Sequence, residues 1–370
     1  MSIFQFPRRI IFQRDILEDI TPTLKDEKIS SLLIITDKIV RGKVEKKLLP
    51  ILKNFDVIIY DDVNPEPNIR QIDEVSKSLS SNIDAIMAIG GGSVIDFAKS
   101  VLIKITYPEK DLRDVNPFEK LDFRIKMIAV PTTSGTGSDA SFGIVLTDGD
   151  RKLALANYNL VPEMVILDSS LTPDSAKIIS ATGVDALVHS FEAIASNTST
   201  VLTDALAEKS IETIFHNLEA SIKGSEESRD MMHISATMAG IAFSNSGTAL
   251  AHALGHSFGS TFHTVHGISV GLFLTHTIEF NSRDEATKLK YEKIAKMLGF
   301  RDIPSLIEGI IVLYRKIGQP VNMRELGINE RDLNTRMEEL VSKAMMDSEI
   351  AFNPVIAGEE DLRKIFMDAF

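Results

Sequence analysis

Up to Leu167 the chain alternates short β-branched apolar runs with amphipathic stretches, and beyond that point the alternation stops. The runs at residues 31–36, 57–60, 85–89, 127–130 and 165–167 are too short for buried helices and read as buried parallel strands. Between them, residues 69–79 and 93–105 place apolar side chains at helical intervals, which is the pattern of a doubly wound α/β domain. Residues 168–173 supply turn and cap residues. Downstream, residues 181–196, 201–219, 229–243, 285–297, 303–317 and 331–346 all repeat apolar residues every three or four positions. An α/β domain over residues 1–175 and an all-helical domain over 176–370 are therefore expected, with a cleft between them as the place for a small-molecule site.

Composition narrows the function. A chain of 370 residues exceeds the ~250 at which one core usually gives way to two. With 40 Lys+Arg against 52 Asp+Glu the net charge is −12, so neither a nucleic-acid backbone nor an anionic membrane suits it as a partner. The absence of cysteine excludes disulfides, thiolate metal sites and a cysteine nucleophile. No uninterrupted apolar run approaches the ~18 residues of a membrane span. The basic pair Arg8-Arg9 follows the first apolar residues, the wrong order for a secretory signal. A cytoplasmic location is expected.

The segment Gly90-Gly91-Gly92-Ser93-Val94-Ile95-Asp96 joins a predicted strand to a predicted helix. Three residues without Cβ let an anion approach the backbone N–H groups, and the helix N-terminus favours a phosphate. A sharp turn with no ligand fits the same residues. The usual dinucleotide fingerprint is not met, because its third glycine would fall at Ile95. Thr132, Thr133 and Thr136, within the segment from Pro131 to Ser138, follow another strand and add hydroxyls. Asp37 follows the first of the five strands, where a carboxylate can accept from ribose hydroxyls or simply cap the next helix.

Four of the 8 histidines crowd into the stretch from His252 to His266. His252 and His256 stand four residues apart, on one helical face, and His263 and His266 follow. Asp185 and His189 have the same spacing inside an otherwise apolar helix. A divalent iron, zinc, manganese or nickel ion would satisfy imidazoles and a buried carboxylate together. Two polar pairs that hydrogen-bond in the core fit the same spacing. The zinc-protease pattern H-E-x-x-H and the serine-hydrolase elbow G-x-S-x-G are both absent.

These residues, with residues 181–189, His266-Gly267 and Asn353-Pro354, resemble the iron-dependent (group III) alcohol dehydrogenases nearly end to end. Their fold is shared with glycerol dehydrogenase and dehydroquinate synthase. The resemblance implies an α/β dinucleotide-binding domain followed by an all-helical metal and substrate domain. It implies Asp185, His189, His252 and His266 as ligands of Fe(2+), or of Zn, Mn or Ni. It further implies His256 as a proton relay, Phe243 beside the substrate, and a dinucleotide held by Asp37, Gly90, Gly91, Gly92, Ser93, Asp96, Thr132, Thr133, Thr136 and Lys152. Asp37 favours NAD(H) over NADP(H), since it repels a 2′-phosphate. The activity implied is hydride transfer between a primary or small alcohol, or its aldehyde or ketone, and NAD(P), with a homodimer or larger homo-oligomer formed through an N-terminal hairpin. A polyol or hydroxy-acid dehydrogenase is the alternative on the same scaffold. A dehydroquinate synthase-type lyase fits less well, because Asp185 stands where that enzyme has glutamate and His189 is present. Departures from the family pattern fall at Gln13, Asp139, Gly143 and Val355, none of them a metal ligand.

Overall fold

The computed structural model describes residues 3–79, 82–149 and 151–370; Met1, Ser2, Ser80, Ser81 and Asp150 lie outside them. One compact unit ends at Pro173 and a second runs from Asp174 to Phe370. The first carries strands β1 (Arg9–Phe12), β2 (Ser31–Thr36), β3 (Asp56–Tyr60), β4 (Ala85–Gly90), β5 (Lys126–Pro131), β6 (Gly143–Asp148), β7 (Arg151–Ala156) and β8 (Met164–Leu167). Its helices are α1 (Thr21–Asp26), α2 (Arg41–Lys47), α3 (Ile69–Ser78) and α4 (Gly92–Thr106).

Six strands form a parallel sheet in the order β1-β8-β5-β4-β2-β3. Leu33, Ile35, Ile86 and Ala88 pack on the α3–α4 face, and Leu32, Ile34, Met87 and Ile89 on the α1–α2 face. Both faces being covered, the strands read as unbroken apolar runs rather than alternating ones. From β2 the chain steps outward to β3, then returns to the other side of β2 as β4, so strand order reverses between β2 and β4. The carboxyl ends at such a reversal are where α/β sheets leave a binding crevice.

Two features depart from the sequence expectation. β1 lies at the sheet edge, parallel to β8, and the N–H of Gln13 donates to the Leu167 carbonyl (3.2 Å), so no N-terminal hairpin forms among the described residues. The hairpin is instead β6–β7, closed around Gly149 at a positive φ of 61°, a backbone state that suits glycine.

The second unit contains α5 (Ala176–Ala195), α6 (Val201–Ile222), α7 (Glu226–Ser246), α8 (Leu250–Phe262), α9 (His266–Asn281), α10 (Glu285–Met297), α11 (Ile303–Ile317), α12 (Glu330–Met346) and α13 (Glu359–Asp368). Ser175 starts α5 by accepting from the Ile178 N–H (3.4 Å), and Thr200 starts α6 with a reciprocal capping box. By length and composition α5 could cross a membrane, but 89% of its most apolar stretch is buried inside the protein. It is a central helix, apolar on nearly every side because neighbours surround it.

Candidate metal centre and glycine turn

α5 carries Asp185 and His189 one turn apart, and α8 brings His252 against them. A carboxylate oxygen of Asp185 and one ring nitrogen each of His189 and His252 lie within 4.8 Å of one another, and all three residues are buried. Asp185 Oδ1, His189 Nδ1 and His252 Nε2 have no hydrogen-bond partner among the described residues. Buried polar atoms left without partners are costly, so three of them converging ask for a shared cation. The donor set, one carboxylate and imidazoles without sulfur, suits iron, zinc, manganese or nickel.

The remaining geometry prepares these atoms. The His252 ring stacks on His189 with centroids 4.5 Å apart, and Phe243 of α7 stacks on His189 at 4.2 Å. Glu192, two turns beyond Asp185 on α5, accepts from the Ala251 and His252 N–H groups (2.5 and 3.2 Å) and pairs with His252 Nδ1 (2.5 Å). With Nδ1 donating to Glu192, the ring's remaining lone pair lies on Nε2, 3.8 Å from Asp185 Oδ1. Burial pushes the Glu192 carboxyl up to about 7, against the pull of the backbone donors. Burial pushes His189 down to about 3 and His252 well below its usual value, so both rings stay neutral. Burial works to raise Asp185 as well, but the imidazoles of His189, His266 and His252 hold it below the ordinary carboxylate range.

His266 opens α9 and sets Nε2 3.2 Å from Asp185 Oδ1. Its neighbour explains the approach: a Cβ on Gly267 would lie 1.9 Å from the Ala181 carbonyl oxygen and 3.3 Å from Asp185 Cβ. Only glycine lets α9 start this close to α5. His263 takes the left-handed turn that ends α8 (φ 55°) and is exposed. His256 stacks on His266 (5.3 Å), and its Nδ1 meets Asp347 Oδ2 at 2.8 Å. The side chains of His256 and His266 are 37% and 40% exposed, against 3% for Asp185 and His252, so one side of the cluster opens outward.

In the first unit, Gly90 ends β4 and Gly91 precedes α4 as a cap residue without a side chain. None of the three glycines has a positive φ, so close packing is the reason for them. A Cβ on Gly90 would meet Val94 Cγ2 at 2.5 Å, and one on Gly92 would meet Thr136 Oγ1 at 2.8 Å. At Gly91 a Cβ would make only ordinary van der Waals contact, with Thr133 at 3.6 Å, so of the three this position alone tolerates a side chain without a clash. Thr133 and Thr136 sit half-buried at this rim, whereas Thr132 is buried and its N–H donates to the Gly90 carbonyl (3.0 Å). Ser93 donates its hydroxyl to the Pro65 carbonyl (2.5 Å). Asp96 is buried, and its Oδ2 accepts from the Val145 N–H (2.9 Å), tying α4 to β6. Lys152 is exposed on β7, 3.9 Å from Glu66. Asp37 Oδ1 accepts from the Ile39 and Val40 N–H groups (2.8 and 2.9 Å), so the capping alternative is realised with that oxygen.

The family model described as iron-containing alcohol dehydrogenase matches residues 7–169, and its C-terminal counterpart matches residues 179–370. The chain belongs to the iron-containing alcohol dehydrogenase family. An alcohol dehydrogenase of Thermococcus barophilus is 33% identical over the full length of both chains. An NADPH-dependent butanol dehydrogenase of Clostridium saccharobutylicum is 32% identical, covering 99% of this chain and 97% of its own. The solved iron-containing alcohol dehydrogenase of Thermococcus thioreducens superposes with a TM-score of 0.90 at 30% identity, covering 99% of each chain. Glu192 and Asp347, which orient His252 and His256, were not legible as a pair with their histidines. Glu192 did carry a signal, since Asp185, His189 and Glu192 follow i, i+4, i+7 on one helix face.

Proposed function

We propose that this alcohol dehydrogenase oxidises a primary or small alcohol, or reduces the matching aldehyde or ketone, with NAD(H) and one divalent iron. The observation that carries the reading is the convergence of three buried, partnerless donor atoms from Asp185, His189 and His252, with His266 at their open side. When bound, the metal supplies Lewis-acid polarisation of the alcohol oxygen and the nicotinamide accepts the hydride. Asp185 and the three imidazoles would hold the ion. Glu192 keeps the proton of His252 on Nδ1, away from the donor atom. Phe243 covers His189 and keeps water from that side, which supports it as a substrate-lining residue. Asp347 holds Nδ1 of His256, so the other ring nitrogen is the atom that takes up and passes on a proton.

The glycine turn, Thr133 and Thr136 at the β2–β4 reversal support the dinucleotide site, with Asp37 and Lys152 flanking it. Asp37 supports NAD(H), although the butanol-dehydrogenase relative is named for NADPH. The exposed edge of β1, with Ile10 and Phe12, supports a homodimer, and the acidic, cysteine-free composition supports a cytoplasmic setting. The solved 1,3-propanediol oxidoreductase, 28% identical at a TM-score of 0.91, favours diols as a second substrate class. The test is anaerobic iron loading followed by an alcohol and diol panel read at the NADH absorbance band. Turnover that requires the metal supports the reading, and metal-independent or absent turnover refutes it.

A further inference from the structure

Asp37 has neighbours whose charges decide what its carboxylate can exclude. Lys38 follows it directly and Arg41 stands four residues on, and cations at this place are what a 2′-phosphate needs, since an arginine near the ribose is how α/β domains accommodate NADP. Both are already engaged. Lys38 Nζ lies 2.5 Å from Asp62 Oδ1, and Arg41 lies 3.3 Å from Asp61 Oδ2 through Nη1 and 2.8 Å from Glu45 Oε1 through Nε. Asp61 and Asp62 come from the end of β3, the strand beside β2, so the sheet itself sets them opposite the two cations. The backbone of Asp62 is also fixed, its carbonyl accepting from Gln71 Nε2 (2.5 Å) and from the Tyr60 hydroxyl (3.2 Å). Asp37, Glu45, Asp61 and Asp62 thus outnumber Lys38 and Arg41, and the rim is net negative with both cations turned to carboxylates.

We propose that Asp61 and Asp62 act as positioning residues for cofactor choice, holding Lys38 and Arg41 away from a 2′-phosphate and so enforcing NAD(H) over NADP(H). The inference rests on the dinucleotide reading above. Asp37 alone repels a phosphate of about −1.5 to −2 charge, but two free cations beside it would offset that repulsion. Exposed ion pairs contribute little to folding, so neutralising these aspartates leaves the fold intact.

The test is calorimetric titration of the full chain with 5′-AMP and with 2′,5′-ADP, which differ only by the 2′-phosphate. In the Asp61→Asn/Asp62→Asn protein, 2′,5′-ADP should bind about tenfold tighter than to wild type, while 5′-AMP changes less than about twofold. Asp61→Glu/Asp62→Glu, which keeps the charges, should retain the wild-type ratio. Adding Lys38→Gln and Arg41→Gln to the asparagine variant should remove the gain. An unchanged ratio in the asparagine variant overturns the proposal, as does a gain that survives loss of both cations, which would reflect general repulsion. Wild-type protein that binds neither nucleotide would overturn the dinucleotide reading itself and this proposal with it.

Discussion

In the first unit the groups offered to a ligand are backbone N–H groups and small hydroxyl side chains at strand ends, around a turn where Gly91 caps α4 without a side chain. In the second they are side chains buried on two packed helices, with donor atoms that nothing else satisfies. The first arrangement asks little of the fold, because it buries no charged side chain. The second asks a good deal, since a carboxylate and two neutral imidazoles are held in the core. Recognition at the sheet should therefore be separable from stability, whereas at the helices the two should move together.

The sharpest way to break that comparison is Gly267→Ala. Its new methyl group would collide with the Ala181 carbonyl, so α9 must leave α5. A loss of about 3 kcal/mol in urea unfolding is expected, together with weaker metal binding. Glu192→Gln should come next, lowering metal affinity by roughly 10–100-fold in chelator competition with far-ultraviolet dichroism unchanged, because the amide no longer holds the His252 Nδ1 proton as a carboxylate does. In the first unit, Gly91→Val should weaken NADH binding about tenfold by fluorescence titration and change stability by less than ~1 kcal/mol, since a Cβ there meets nothing closer than 3.6 Å.

The smallest effect sharpens the comparison from the acid side. Glu27 is held at about 2, below its ordinary 4.5, by hydrogen bonds from Arg8 and then Lys126. A lowered carboxylate contributes stability that is complete above 4.5 and is lost as pH falls toward 2. Glu27→Gln should therefore be slightly less stable at neutral pH, with the gap closing between those values in chemical denaturation. The effect should be confined to the first unit, with metal content untouched.

How much of this could be read from the residues follows the same division. The four central strands β2, β4, β5 and β8 were legible because both faces are covered and their runs are apolar, as at Leu32, Leu33, Ile34 and Ile35, and the edge strand β3 because residues 57–60 are apolar. β1 escaped notice because an edge strand of four residues, half exposed at Ile10 and Phe12, carries too little apolar signal. The β6–β7 hairpin carries a turn signal at Asp148-Gly149. Asp185 with His189, and His252 with His266, stood out as polar residues in apolar helices. Asp347 had no such contrast, since it is the single residue that caps the end of α12 and only the fold brings it to His256. The tie between Asp96 and Val145 was not legible, because a place in the glycine motif says nothing about which way a side chain turns.

The central claim is that Asp185, His189, His252 and His266 hold one divalent ion together. Elemental analysis of anaerobically iron-loaded protein, with His252→Ala beside wild type, tests it most directly. The account predicts about one iron per wild-type chain and less than about a tenth of that in a folded His252→Ala chain, which has no cysteine to substitute for the lost ligand. Equal iron in the two proteins would contradict it.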